Sequence, residues 1–340
     1  MAAAANATYR LGLVQRHRLL PENLNAGSGN STFEIGALGT STTFGGTITD
    51  NGGTVGITKT GGGTLTLTGP NNYTGPTTIN AGVLQIGDGG ATGALGTGLL
   101  TNNAALVVNR SDAVNVAGGI AGSGTFTQAG AGTTTLSGGN TYAGTTYVNQ
   151  GALILDGSTD SAGRIDVSSG ATLGGGGTGG IVTVADGGIF APGGADNDIV
   201  LASLTLAGTP VLKFNVDAPS VTPSFYNDYA NIAGALVLNG RIQVGPQPGA
   251  LDYDFTTAVP GDKWLILSYA GALGGSGLVV DSAPALAPGL SMTVDTATAG
   301  SVFLAVVPES GTGALVMLGL ALLLRRRFPV TGNTSSKTFR

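Results

Sequence analysis

Short runs in which every second residue is apolar recur along most of this chain. Leu65 and Leu67 alternate with Thr64, Thr66 and Thr68, so an extended backbone there sends leucines to one side and hydroxyls to the other. The runs are too short for helices and are bounded by Gly or Asn, which reads as strands of about 3 to 6 residues joined by tight corners. A longer period overlies the alternation. In Val148-Asn149-Gln150-Gly151, Val167-Ser168-Ser169-Gly170 and Val184-Ala185-Asp186-Gly187, an aliphatic residue precedes Gly by three positions, and the motif returns at nearly even steps. The step from Val148 to Val167 to Val184 predicts one coil of a β-solenoid, built from two or three strands, with Gly at corners where φ is positive. The apolar face turns inward. A single coil buries too little aliphatic surface to offset the entropy of ordering it, so stability belongs to the stack and the end coils need caps.

A third period lies above the coil. Residues 57–86, ITKTGGGTLTLTGPNNYTGPTTINAGVLQI, align without gaps to residues 126–155, FTQAGAGTTTLSGGNTYAGTTYVNQGALIL. Gly61 matches Gly130, Leu67 matches Leu136, Tyr73 matches Tyr142, Asn80 matches Asn149 and Gly82 matches Gly151. Tyr73 and Tyr142 each stand between turn residues, where packing over a coil corner is favoured over an exposed carbohydrate contact.

Composition narrows the class. The 61 glycines fall in clusters and not at every third position, which excludes collagen, and 41% hydrophobic residues supply a core that a disordered linker lacks. Cysteine is absent, so disulfides and thiolate metal sites are excluded. Residues 19–309 carry six Lys/Arg against 19 Asp/Glu, while cations gather at the ends as Arg10, Arg16 and Arg18 and as Arg325, Arg326, Arg327, Lys337 and Arg340. An acidic body without clustered cations excludes nucleic acid as a partner.

FEIGAL (33–38), TFGGTITDNGG (43–53), TKTGGGTLTLTGPNNYTGPTTINAGVLQIGDGG (58–90) and the copy at 126–155 resemble the autotransporter-associated β-strand repeat of bacterial surface proteins. IVTVADGGIFAPGG (181–194), YNDYANIAGALVLNG (226–240) and PGDKWLILSYAG (260–271) are similar to the ends of such passengers. The resemblance spans 33–306 and implies an all-β fold, a right-handed parallel β-helix (β-solenoid). It divides the chain into an N-terminal segment at 1–32, a β-helix with two long repeats at 33–160, and further coils with a C-terminal cap at 161–306. A sorting segment at 307–327 and a tail at 328–340 follow. No apolar h-region can be drawn in MAAAANATYRLGLVQRHRLL, so the expectation is a chain that begins inside a longer protein. No stretch suited to an outer-membrane barrel follows the repeats, so the chain reads as passenger-like without its own barrel.

Val307-Pro308-Glu309-Ser310, the apolar run 311–324 and Arg325-Arg326-Arg327 resemble the PEP-CTERM sorting signal. Pro308 is expected to start an irregular, accessible segment. The resemblance implies processing by an exosortase-type membrane protease, with Pro308 and Glu309 in the recognition element. It also implies a short C-terminal hydrophobic helix that holds the membrane before processing. The apolar run falls short of the ~20 residues of a stable span, and Arg325, Arg326 and Arg327 would keep its end cytoplasmic. The alternative is a simple membrane anchor.

Catalytic candidates are sparse. His17 lies between two arginines near the N-terminus and reads as a solvated side chain. Asp196 and Asp198, and Asp252 and Asp254, are the closest carboxylate pairs, with no cation near them in sequence. Residues 193–199 resemble one calcium-binding nonapeptide with Asp196 in a Gly position, and a polar turn is the favoured reading. No catalytic residue, metal site or cofactor is assigned. The expectation is an exported, non-catalytic surface or matrix protein with structural or adhesive duty and with extracellular polysaccharide as a candidate partner. Two alternatives stand beside it: a carbohydrate-active β-helix enzyme and an orphaned autotransporter passenger.

Overall fold

A computed structural model describes residues 7–11, 23–26, 28–193, 198–216, 220, 227–246 and 255–309. Up to the C-terminal end its strands stack in parallel, each on the equivalent strand of the neighbouring coil. On the first face Ser31–Ile35 pairs with Val55–Lys59, which pairs with Thr77–Ile79, then Leu100–Asn102 and Ile120–Ala121. Single bridges Gly139↔Ser158 and Ser158↔Thr178 carry that face onward. The second face runs from Thr42–Phe44 through Thr64–Leu67, Val83–Ile86, Ala105–Val108 and Thr125–Gln128 to Thr146–Val148 and Arg164–Val167. The third runs from Val114–Val116 through Thr133–Leu136, Ala152–Leu155, Thr172–Gly175 and Ile189–Pro192 to Val211–Val216. The chain visits the three faces in turn, so each coil is three-sided and the fold is an all-β solenoid.

Alternation decides which side chains enter the coil. Thr64–Leu67, Val83–Ile86 and Ala105–Val108 bury every second residue, and Leu65, Leu84 and Leu106 stack one above another in the core. The corner glycines Gly151, Gly170 and Gly187 adopt φ of 60°, 75° and 70°, as their spacing predicts. Tyr73 and Tyr142 are buried, and the Tyr73 hydroxyl lies 2.7 Å from Thr77 Oγ1, with Tyr142 paired likewise to Thr146. Both tyrosines therefore pack into the corner, as expected.

Coil length is less even than the glycine motif suggests. The pairing Arg164↔Ile181 keeps the short step read between Val167 and Val184, whereas the coils that join Ser31 to Val55 and Thr77 to Leu100 are longer. Toward the C-terminus the coils widen again at Ile199↔Ala230 and most of all at Ala230↔Leu267, and a strand of 11 residues appears at Leu236–Pro246. The short period read from sequence belongs to the tightest coils, where the corners are briefest.

The two long repeats fold alike but do not lie on the same face. Within the first, Ile57 pairs with Thr77 and Leu65 with Leu84; within the second, Phe126 pairs with Thr146 and Thr134 with Leu153. Yet Ile57 belongs to the first face, and Phe126 stacks on Leu106, Leu84 and Leu65 of the second. From Ile57 the first face returns at Thr77, Leu100 and Ile120, and Phe126 lies one face beyond. The second copy is thus advanced by three full coils plus one further face.

The C-terminal end is closed by antiparallel pairing. Lys263–Tyr269 pairs in parallel with Ala230–Ile232 on one edge and antiparallel with Ser301–Pro308 on the other, which in turn pairs with Leu290–Asp295. Trp264 beneath this hairpin stacks on Phe255 at 5.9 Å. A reversal of strand direction ends the parallel ladder and covers an edge that would otherwise template another chain. The expected C-terminal hydrophobic helix and the arginines Arg325, Arg326 and Arg327 lie outside the described residues. Among the described residues no helix is long and apolar enough to cross a membrane.

Candidate interaction surface

The residues that face outward on the second face form a column fixed by the ladder register. Thr66, Gln85, Val107, Thr127, Tyr147 and Asp166 stand one above another on successive coils. Most are β-branched or short and polar, which suits a flat pleated surface. Tyr147 differs from the buried tyrosines of the corners in that its ring is exposed. Beside it Arg164 Nε lies 2.7 Å from both carboxylate oxygens of Asp166, an exposed pair that contributes little to stability.

Beneath this surface the core contains polar side chains that serve the backbone. Asn71 Oδ1 accepts from Ile48 N–H at 2.8 Å and its Nδ2 donates to Ala94 O at 2.8 Å. Asn140, its counterpart in the second repeat, accepts from Ile120 N–H and donates to Ser158 O. Each amide thus spans the coil before and the coil after its own, where no regular strand supplies the rungs. Lys59 is buried, and its Nζ donates to Thr60 O, Gly61 O and Ala81 O at 2.7, 2.8 and 3.0 Å. Burial holds its pKa below the usual lysine range. Composition suggests a solvated charge at position 59; alignment with Gln128 of the second repeat was the available sign of an interior role.

The sequence-assigned residues are dispersed. Pro308 is exposed and is the last residue of Ser301–Pro308, and Glu309 N–H donates to Gly289 O at 2.9 Å. Regular pairing therefore extends through Pro308, where an irregular segment was expected, because proline is tolerated at a strand end. His17, Asp196, Asp252 and Asp254 lie outside the described residues. Asp198 is partly buried, which raises its pKa. Among the described residues no group of three or more His, Cys, Asp or Glu is arranged to hold a metal ion.

Sequence reasoning passed over Asp228. Its Oδ2 accepts from Asn215 N–H at 2.7 Å, while its own N–H donates to Asn215 O, so the two residues clasp across the intervening segment. The carboxyl is pushed up to about 6, chiefly by burial and further by the charge of Asp198, against the lowering effect of the Asn215 hydrogen bonds. An unfolded aspartate titrates near 3.9. Between about 4 and about 6 the folded state therefore holds more protons than the unfolded state, and stability falls as pH rises through that window. Asp228→Asn, which keeps an acceptor for Asn215, is expected to flatten this pH dependence and to stabilise the protein at pH 7 by roughly 2–3 kcal/mol. Thermal unfolding from pH 4 to 7.5 measures both.

Residues 57–86 and 126–155 match the Passenger-associated-transport-repeat family. The chain is 41% identical over 95 residues to the adhesin BmaC autotransporter of Brucella suis biovar 1 (strain 1330), a stretch covering 27% of this chain and 3% of that protein. It is 46% identical over 74 residues to an extracellular serine protease of Serratia marcescens, covering 22% of this chain and 7% of that protein. The chain thus carries autotransporter-associated repeats and is distantly and partially similar to an autotransporter adhesin, and each match spans a small part of the relative's length.

Proposed function

We propose that this passenger-like repeat chain is an exported, non-catalytic shaft whose outward columns serve adhesion or matrix structure at the cell surface. The observation that carries the reading is the second-face column, in which Thr66, Gln85, Val107, Thr127 and Tyr147 recur at coil spacing on a rigid stack. Such a column offers a line of several weak contacts, of differing chemistry from coil to coil, which suits attachment to an extended partner such as extracellular polysaccharide. A right-handed coil is the hand that parallel crossover connections take almost always. Similarity to an adhesin autotransporter supports the surface role.

In this reading the C-terminal segment sorts the protein. Pro308 and Glu309 are presented at the exposed end of the closing hairpin, where an exosortase-type protease would reach them. Residues 311–324 would hold the membrane until cleavage, with Arg325, Arg326 and Arg327 on the cytoplasmic side. Fractionation of the native organism with mass spectrometry of the mature C-terminus tests this. The expected result is a body outside the cell that ends shortly after Pro308. An intact Arg340 in the membrane fraction would make the tail a permanent anchor, and a cytoplasmic body would end the surface reading.

A further inference from the structure

The third face contains a parting between two coils. Val114–Val116 pairs on one edge with Thr133–Leu136, while residues 94–98 on its other side form no strand. Residues 94–98 are drawn toward the preceding coil: Thr97 N–H donates to Tyr73 O, and Gly96 lies so close to the Tyr73 ring that a Cβ would strike it. A cavity of about 170 Å³ is left, lined on its apolar side by Ile86, Leu95, Leu100, Val108, Val114 and Val116. Arg110 bridges the parting at its rim. Its guanidinium donates to Ala91 O and Gly93 O on one coil and forms a two-point ion pair with Asp112 on its own.

We propose that this parting is a binding site for a small neutral apolar molecule about the size of a benzene ring. The lining is mixed, with Thr77, Thr97, Arg110 and Asn115 beside the apolar side chains, but its apolar wall offers an aromatic ring the dispersion contacts that let cavities of roughly this volume take up benzene or xenon. The ligand is neutral because Arg110 is already matched by Asp112 and two carbonyls and has no charge left to offer an anion. The site does not depend on the outer column or on the C-terminal processing proposed above. Its floor is built by Ile86, Leu100 and Val108, which are buried members of the core. A bound ring would replace the contacts that coil stacking leaves unmade at this place on the third face.

The test is a titration of the full chain with benzene, and separately with xenon, followed by methyl NMR. The expected result is saturable shifts concentrated on the methyls of Leu95, Val108, Val114 and Val116. Val114→Phe fills the cavity and is expected to weaken benzene binding by at least about tenfold. Should that variant fail to fold, Val116→Leu provides the same comparison with a smaller intrusion. No saturable response from the native chain to either probe, or undiminished binding in a folded cavity-filling variant, would overturn the proposal.

Discussion

Gly151→Ala is expected to destabilise the solenoid by more than about 3 kcal/mol, whereas Gly170→Ala, one coil on, is expected to cost only about 1 kcal/mol. Both glycines hold positive φ, at 60° and 75°, so both variants carry the strain of an alanine in the left-handed region. They differ in what surrounds them. A Cβ at Gly151 would sit on the carbonyl oxygens of Gly132 and Gly130 in the preceding coil, and Gly132 O is the acceptor for Ala152 N–H at 3.0 Å. Relief of the clash must therefore break a rung of the ladder. A Cβ at Gly170 meets nothing within 4 Å. Gly82 repeats the geometry of Gly151 against Gly63 O and Gly61 O, and its alanine variant is expected to behave alike. Urea unfolding followed by circular dichroism compares the midpoints; equal losses at 151 and 170 would mean that coils separate easily.

The second large effect is expected at Lys59. Lys59→Met keeps most of the buried volume but leaves Thr60 O, Gly61 O and Ala81 O without their donor, a loss of about 3 kcal/mol. Lys59→Gln is expected to lose nearer to about 1 kcal/mol, because Gln128 performs the equivalent task in the second repeat. There Nε2 donates to Gly130 O and Gly132 O at 2.7 and 3.1 Å, while Oε1 accepts from Thr134 Oγ1. The first repeat has Leu65 where the second has Thr134, so a glutamine at position 59 would find its donors employed and its acceptor idle. Thermal unfolding of the three proteins orders them: native first, the glutamine variant next and the methionine variant last. A methionine variant as stable as the native chain would remove the carbonyl clamp from the account of this corner.

Much of the fold was legible because the solenoid repeats its physics. Alternation at Leu65 and Leu67 gave the inward face, and Gly151, Gly170 and Gly187 marked corners that need positive φ. Coil length was read from the tightest region, and the wider coils near Ala230 carry no glycine motif at fixed spacing to announce them. The antiparallel closing hairpin was also hidden, since Leu290–Asp295 alternates apolar and polar residues as the parallel strands do, and the continuous apolar run of Ser301–Pro308 tells of burial but not of strand direction. Sequence placed the outer column in general terms as a hydroxyl-bearing face, but which residues share a column depends on register between coils of unequal length. Lys59 and Asp228 went unread for a plainer reason: charged side chains are nearly always solvated, and only the surrounding carbonyls or a clasp such as Asn215 reveal the exception.

Because each repeat copy is advanced by three coils and one face, equivalent features of successive copies point in directions a third of a turn apart. A run of such repeats would carry its recurring chemistry as a spiral stripe around the shaft, and the stripe would regain its starting azimuth after every third advance. A rigid rod-like partner laid alongside could engage only one copy in three, whereas a flexible strand could wind with the stripe and hold every copy at once. If the repeats bind an extended partner, as proposed above, their winding would select it by stiffness, since avidity is gained only by a chain able to span consecutive sites.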